Sequence, residues 1–159
     1  KQDGVDVALG YELATSAGRW RLGLDAARIL KLERSIAQGL PVSDVLDTFG
    51  NPVDLRMRAT VGWSQGAWSA FAYGNYVSGY VNTAVTPNTS VGSYQTMDAT
   101  VSYRHQGEGT ILSGTSLSLA VQDLFDREPP VVLNGTSSWD NQNASAIGRM
   151  MSLTLSKSW

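Results

Sequence analysis

Apolar and polar side chains alternate along most of this chain. From Val53 to Trp63 the odd positions are Val53, Leu55, Met57, Ala59, Val61 and Trp63, and the even ones are Asp54, Arg56, Arg58, Thr60 and Gly62. Successive side chains of a β-strand point to opposite faces, so this segment predicts a strand with one apolar and one polar face. It is about long enough to cross a bilayer when tilted. The pattern recurs. Val5, Val7, Leu9, Tyr11 and Leu13 alternate with Asp6, Ala8, Gly10 and Glu12, and Trp20, Leu22, Leu24 and Ala26 with Arg21, Gly23 and Asp25. Met97, Ala99, Val101 and Tyr103 alternate with Asp98, Thr100, Ser102 and Arg104. Leu117, Leu119 and Val121 form one more such set, and Met151, Leu153, Leu155 and Trp159 another. Trp68 to Val81 is also strand-like, but small and aromatic residues occupy both faces, so the faces of this strand stay open.

These segments make seven strands, and the connections between them alternate in length. The short ones are Thr15 to Gly18, Ser64 to Ala67 and His105 to about Gly114; the long ones are Ser35 to Pro52, Asn82 to Gly92 and Asp126 to Asn143. A soluble sandwich turns its apolar faces into a shared core, whereas a membrane barrel turns them to lipid. Three features favour the barrel. The polar faces are built of Ser, Thr, Gly, Asp and Arg, which suits a wet lumen. Trp63, Tyr103 and Trp159 end apolar faces as an interfacial girdle does. Short turns at one end and long loops at the other match periplasmic and external connections. The fold class expected is therefore all-β, an antiparallel up-and-down set of transmembrane β-barrel strands. An odd set of seven leaves two unpaired edges, which lipid cannot satisfy, so upstream strands are expected and the chain alone is not expected to be a stable membrane protein.

Composition adds exclusions. Charged residues are 16% of the 159, below the roughly 25% of a soluble domain. Apolar runs such as Ile29-Leu30 and Pro129 to Leu133 fall far short of the roughly 20 residues of a membrane helix. The net charge of -2 gives no reason to expect nucleic acid as a partner. Without cysteine there is no disulfide framework and no thiolate metal site. The single histidine, His105, falls in a short turn without ligand partners at metal-binding spacing. No phosphate loop, nucleophile elbow or catalytic carboxylate pair stands out, so no catalytic residue, metal or cofactor is expected.

Four motifs carry a family resemblance. Gly4-Val5-Asp6 opens the first strand, Ser93-Tyr94-Gln95-Thr96-Met97-Asp98 leads into the third from the end, and Asp123 to Pro130 reads DLFDREPP. Asn143 to Arg149 precedes the closing Ser152-Leu153-Thr154-Leu155 and its terminal aromatic. In this order they resemble the TonB-dependent outer-membrane receptors over nearly the whole chain, with Asp123 where that family usually has Asn. The resemblance implies a bacterial outer-membrane barrel of about 22 strands around a plug. This chain would be its C-terminal portion, with the plug and the TonB-contacting segment absent. It also implies energy-coupled uptake of a scarce nutrient, in the siderophore, cobalamin or carbohydrate class. The partners implied are outer-membrane lipid, the barrel assembly machinery, the rest of the barrel, the plug, the TonB complex and a small-molecule nutrient.

Candidate residues follow from position. Leu153, Leu155 and Trp159 resemble the C-terminal signal read by the assembly machinery, or serve only as an interface anchor. Asp54, Arg56, Arg58, Asp98 and Arg104 are expected to face the lumen, in charge networks or against the plug rather than on ligand. Trp139, Asp140 and Asn141 in the last long loop combine an aromatic with hydrogen-bonding groups, as a sugar or siderophore site does, although ordinary loop chemistry accounts for them equally. Tyr80 and Asn82 sit at the mouth of the middle loop, where Tyr80 is a girdle or vestibule residue. A small self-standing barrel used as an anchor or adhesin, and a soluble β-sandwich binding module, are the alternatives.

Overall fold

The computed structural model describes residues 1–35, 37, 39–107 and 109–158. Its elements are β1 (Gln2–Thr15), β2 (Gly18–Arg34), β3 (Ser43–Asp44), β4 (Leu55–Gln65), β5 (Trp68–Val77), β6 (Tyr80–Asn82), β7 (Thr89–Val91), β8 (Tyr94–Arg104), β9 (Thr115–Gln122) and β10 (Met150–Lys157). The seven long strands pair antiparallel in chain order, β1-β2-β4-β5-β8-β9-β10. β3 adds briefly to β2, and β6 pairs β7 as a small separate hairpin. The sheet is not closed: β1 and β10 are its edges.

Register carries the alternation from strand to strand. One row runs Tyr11, Leu22, Val61, Ala72, Ala99, Val121 and Met151 across all seven strands. On the other face a row runs Ala14, Arg19, Ser64, Ser69, Ser102, Ser118 and Thr154. Among the described residues no second layer covers the apolar face. Leu9 is 62% exposed and Leu153 69%, which is the reverse of what a sandwich core requires.

The faces of β5 are now fixed. Trp68, Ala70, Ala72, Gly74 and Tyr76 share the apolar face; Ser69, Phe71, Tyr73, Asn75 and Val77 share the polar one. Two aromatics are thus accommodated among polar residues. A Cβ on Gly62 would lie 2.6 Å from the Phe71 ring, so the glycine is what makes room for it. Arg58 lies over the Tyr73 ring at 4.5 Å, a cation–π contact.

The turn end is knit by aromatics. Trp68 and Tyr103 rings are 4.9 Å apart, and the Trp63 indole N–H donates to Ala17 O at 2.8 Å in the β1–β2 turn. Gly18 in that turn has φ 120°, and a Cβ there would meet Ser64 O at 2.6 Å, so only glycine fits.

Val53 differs from its sequence-based place on the apolar face. β4 begins at Leu55, and Val53 is 2% exposed in a small core with Tyr80, Val91 and Val132, flanked by Phe49 and Val77. The alternation of Val53 with Asp54 comes from loop packing and merely happens to be in phase with the strand. The buried apolar core therefore lies among the long connections, not beneath the sheet.

Ala99 and Ala120 provide a matched pair. Ala99 sits between Ala72 and Val121 on the apolar face, and Ala120 between Thr100 and Ser152 on the polar one. In the intact protein in a bilayer, Ala99→Arg is expected to cost about 2–4 kcal/mol and Ala120→Arg much less. Denaturant unfolding from lipid vesicles checks this; equal costs would contradict the face assignment.

Candidate functional site

The three long connections leave the sheet at the same end and pack on one another. Val53 comes from the first, Tyr80 and Val91 from the second, and Val132 from the third. Backbone bonds join the first two: Phe49 N–H donates to Val81 O at 3.0 Å and Val81 N–H to Asp47 O at 2.8 Å.

Polar side chains complete the lock. Asp140 Oδ2 accepts from Gly50 N–H at 3.2 Å and from Asn143 Nδ2 at 3.0 Å, while its Oδ1 accepts from Gln142 N–H at 3.0 Å. Asn143 Nδ2 also donates to Asn51 O at 2.9 Å, and its Oδ1 accepts from Arg56 Nη2 at 2.7 Å. The same Nη2 reaches Gln142 O at 2.8 Å. Asn82 Nδ2 donates to Leu133 O at 2.8 Å, tying the second loop to the third. The buried side chains of Asn82, Asp140 and Asn143 are tolerated because each has partners of this kind, whereas Asn51 Oδ1 is buried without one. Burial first, then the charge and hydrogen bond of Asp140, raise the Tyr80 hydroxyl far above its ordinary range. Burial likewise pushes the Asp47 carboxyl up, opposed by the Asp54 N–H at 2.6 Å.

Each sequence-derived candidate now has a place. Tyr80, Asn82 and Asp140 are buried within the loop cluster, Trp139 is half-buried and Asn141 is exposed. Asp54 sits at the base of the first loop and accepts from Ser78 Oγ at 2.6 Å. Arg56 and Arg58 lie on the polar face of β4, and Asp98 and Arg104 on that of β8. Asp98 Oδ2 accepts from Asn75 Nδ2 at 3.0 Å and its Oδ1 from Asp123 N–H at 3.0 Å. Arg104 is at the opposite end, beside Ser116. Leu153 and Leu155 share the outer face of β10; Trp159 lies outside the described residues.

Sequence reasoning gave no site role to Asn75 or to Tyr94, although Tyr94 falls in the Ser93 to Asp98 motif. The Tyr94 hydroxyl donates toward Arg127 O and Ser145 O, both at 3.2 Å, and so holds the third loop from below. Extending the polar parity of β8 back by two residues from Thr96 would have placed Tyr94 on the inner face. Asp123 has φ 49° and both its oxygens accept the Arg127 N–H at 3.0 Å. Asp and Asn are the residues that tolerate this left-handed turn, which explains Asp at a position where the motif usually has Asn.

An antiparallel meander with an uncovered apolar face, tight turns at one end and interlocked loops at the other is the wall of a membrane-type β-barrel. The model of the TonB dependent receptor-like β-barrel family matches residues 2–124, more than half of the 159 residues. The chain belongs to that family, the β-barrels of TonB-dependent receptors, which are outer-membrane proteins. No curated protein and no solved structure matches the chain.

Asp140→Ala tests the loop lock. Losing these bonds should cost about 1–3 kcal/mol locally, speeding amide exchange at Gly50 and Gln142 about ten- to hundredfold. Exchange at Val101 in the sheet should not change.

Proposed function

We propose that this chain is part of the wall of a bacterial outer-membrane receptor that takes up a scarce nutrient with energy from the TonB complex. The carrying observation is the family match on a two-faced sheet whose edges, β1 and β10, are both unpaired. An open edge in hydrocarbon costs several kcal/mol for each unsatisfied group, so further strands must complete the cylinder. In this reading the 159 residues are the C-terminal portion of a barrel of about 22 strands, and the plug and TonB-contacting segment belong to the rest of the receptor.

The parts then have distinct tasks. The apolar face meets lipid. Arg56, Arg58, Asp98 and Arg104 line the lumen and face the plug. Tyr80, Asn82 and Asp140 shape the external loops, and Trp139 and Asn141 are the members of that set open to ligand. Leu153, Leu155 and Trp159 are the signal that the assembly machinery reads. The nutrient is a siderophore, a cobalamin or a carbohydrate.

The test is uptake by cells bearing the intact receptor. Uptake of one such nutrient should require the receptor and should stop when a protonophore collapses the proton gradient. Uptake that survives the protonophore would rule out the energy-coupled reading. Leu153→Asp with Leu155→Asp should lower the amount of folded barrel in outer-membrane fractions, and unchanged assembly would remove the signal role.

A further inference from the structure

We propose that the β8–β9 turn is a membrane hook: its tip, Ile111 and Leu112, folds against the lipid-facing side of the wall and enters the headgroup zone of the phospholipid leaflet at the short-turn end. This goes beyond the receptor reading above and rests on its assignment of the apolar face to lipid.

Three connections close the sheet at this end. Two have small tips, Ser16-Ala17 and Gly66-Ala67. The third, from His105 to Gly114, presents Ile111 at 92% exposure and Leu112 at 53%. One such side chain in water is ordinary, but two neighbours at a tip continuous with an apolar face mark a contact surface.

Two tethers set the side of the sheet on which the turn lies. Lys157 pairs Thr115 in the ladder and so shares the outer face of β10 with Leu153 and Leu155. Its ammonium donates to Ile111 O at 2.8 Å and also to Ser113 O. His105 extends β8 by one residue, its N–H donating to Thr115 O at 2.9 Å, which puts its side chain on the face of Tyr103. Its Nε2 lies 3.2 Å from Thr110 Oγ1. Both tethers start from the lipid-facing parity, so the turn is drawn toward lipid and not across the lumen mouth.

Depth follows from the same register. The Trp68 and Tyr103 rings mark the aromatic boundary of the apolar face, in one row with Leu117 and Leu155. Thr115 and Lys157 lie only two residues beyond that row, roughly 7 Å along the strands. A turn held back against the wall from there sits at headgroup level.

Its backbone is prepared for that medium. Four successive carbonyls at the tip have donors: Thr110 O from Ser113 N–H at 3.0 Å, Leu112 O from Thr115 N–H at 3.0 Å, and Ile111 O and Ser113 O from Lys157. Water makes such bonding unnecessary, whereas a water-poor interface demands it. Lys157 suits the same depth, with its stem along the apolar face and its ammonium at the polar edge.

The intact receptor, bearing one thiol per variant, is placed in nanodiscs of phosphatidylcholine and phosphatidylethanolamine and alkylated with a sulfonated maleimide. Burying one large aliphatic side chain is worth about tenfold or more in partition, and Leu112 still holds the tip, so Ile111→Cys should react about tenfold more slowly than Ser16→Cys in the β1–β2 turn. Adding Lys157→Met should bring its rate up to that of Ser16→Cys, and Lys157→Arg should keep it slow. The first comparison stands whether or not Lys157→Met assembles, and a rate that Lys157→Met leaves unchanged overturns the tether. Leu119→Cys on the sheet face is the reference for lipid contact. Ile111→Cys as fast as Ser16→Cys while Leu119→Cys stays slow overturns the hook and keeps the lipid-facing wall; a fast Leu119→Cys overturns both. An Ile111→Cys thiol that is fast in nanodiscs but slow in isolated outer membranes is covered by a protein, which overturns lipid as the occupant.

Discussion

Backbone hydrogen bonding between neighbouring strands is the constraint on which everything else in this sheet depends. Hydrocarbon offers no partner to an amide or carbonyl, so a chain crossing it as strands must bond strand to strand. Once those bonds fix the register, the period of two decides which side chains see lipid. The unbroken row from Tyr11 to Met151 is the consequence. The same constraint makes β1 and β10 incomplete objects.

The sequence was readable where one parity is apolar throughout. β4 and β10 are such strands, with Leu55 to Trp63 and Met151 to Leu155 on one side and Arg, Thr or Ser on the other. It was not readable in β5, because Phe71 and Tyr73 lie on the polar face. Their placement depends on Gly62 and Arg58 in the neighbouring strand, which is tertiary information. Val53 shows the opposite failure. An apolar residue in phase with a strand was buried instead by Tyr80, Val91 and Val132, residues far from it in sequence. The loop chemistry was half legible: Asp140 and Asn82 stood out as polar loop residues, but that they are buried and hold other loops could not be read without contacts such as Gly50 to Asp140.

The loop cluster matters because loops of this length are usually mobile. Here a small apolar core and a polar hub at Asp140 and Asn143 remove much of that freedom. The entropic cost of ordering a loop is then met on folding rather than on binding, which favours a preformed surface. Arg56 extends this order from the loops to the wall, since it is a strand residue whose guanidinium is held by Gln142 and Asn143.

Lipid and loop thus select the same register. Asn75 pairs Thr96, and Gly74 pairs Met97, so the polar pair faces inward while the apolar pair faces outward. A slip of one residue in either strand would exchange the faces along its whole length. It would present Asn75 or Thr96 to hydrocarbon and withdraw it from the inner face. The bilayer penalises that slip directly, because an unpaired amide or hydroxyl in hydrocarbon is costly. The inner face on which the third loop rests is therefore enforced by the membrane on the far side of the wall, and not only by the bonds from Tyr94 to that loop.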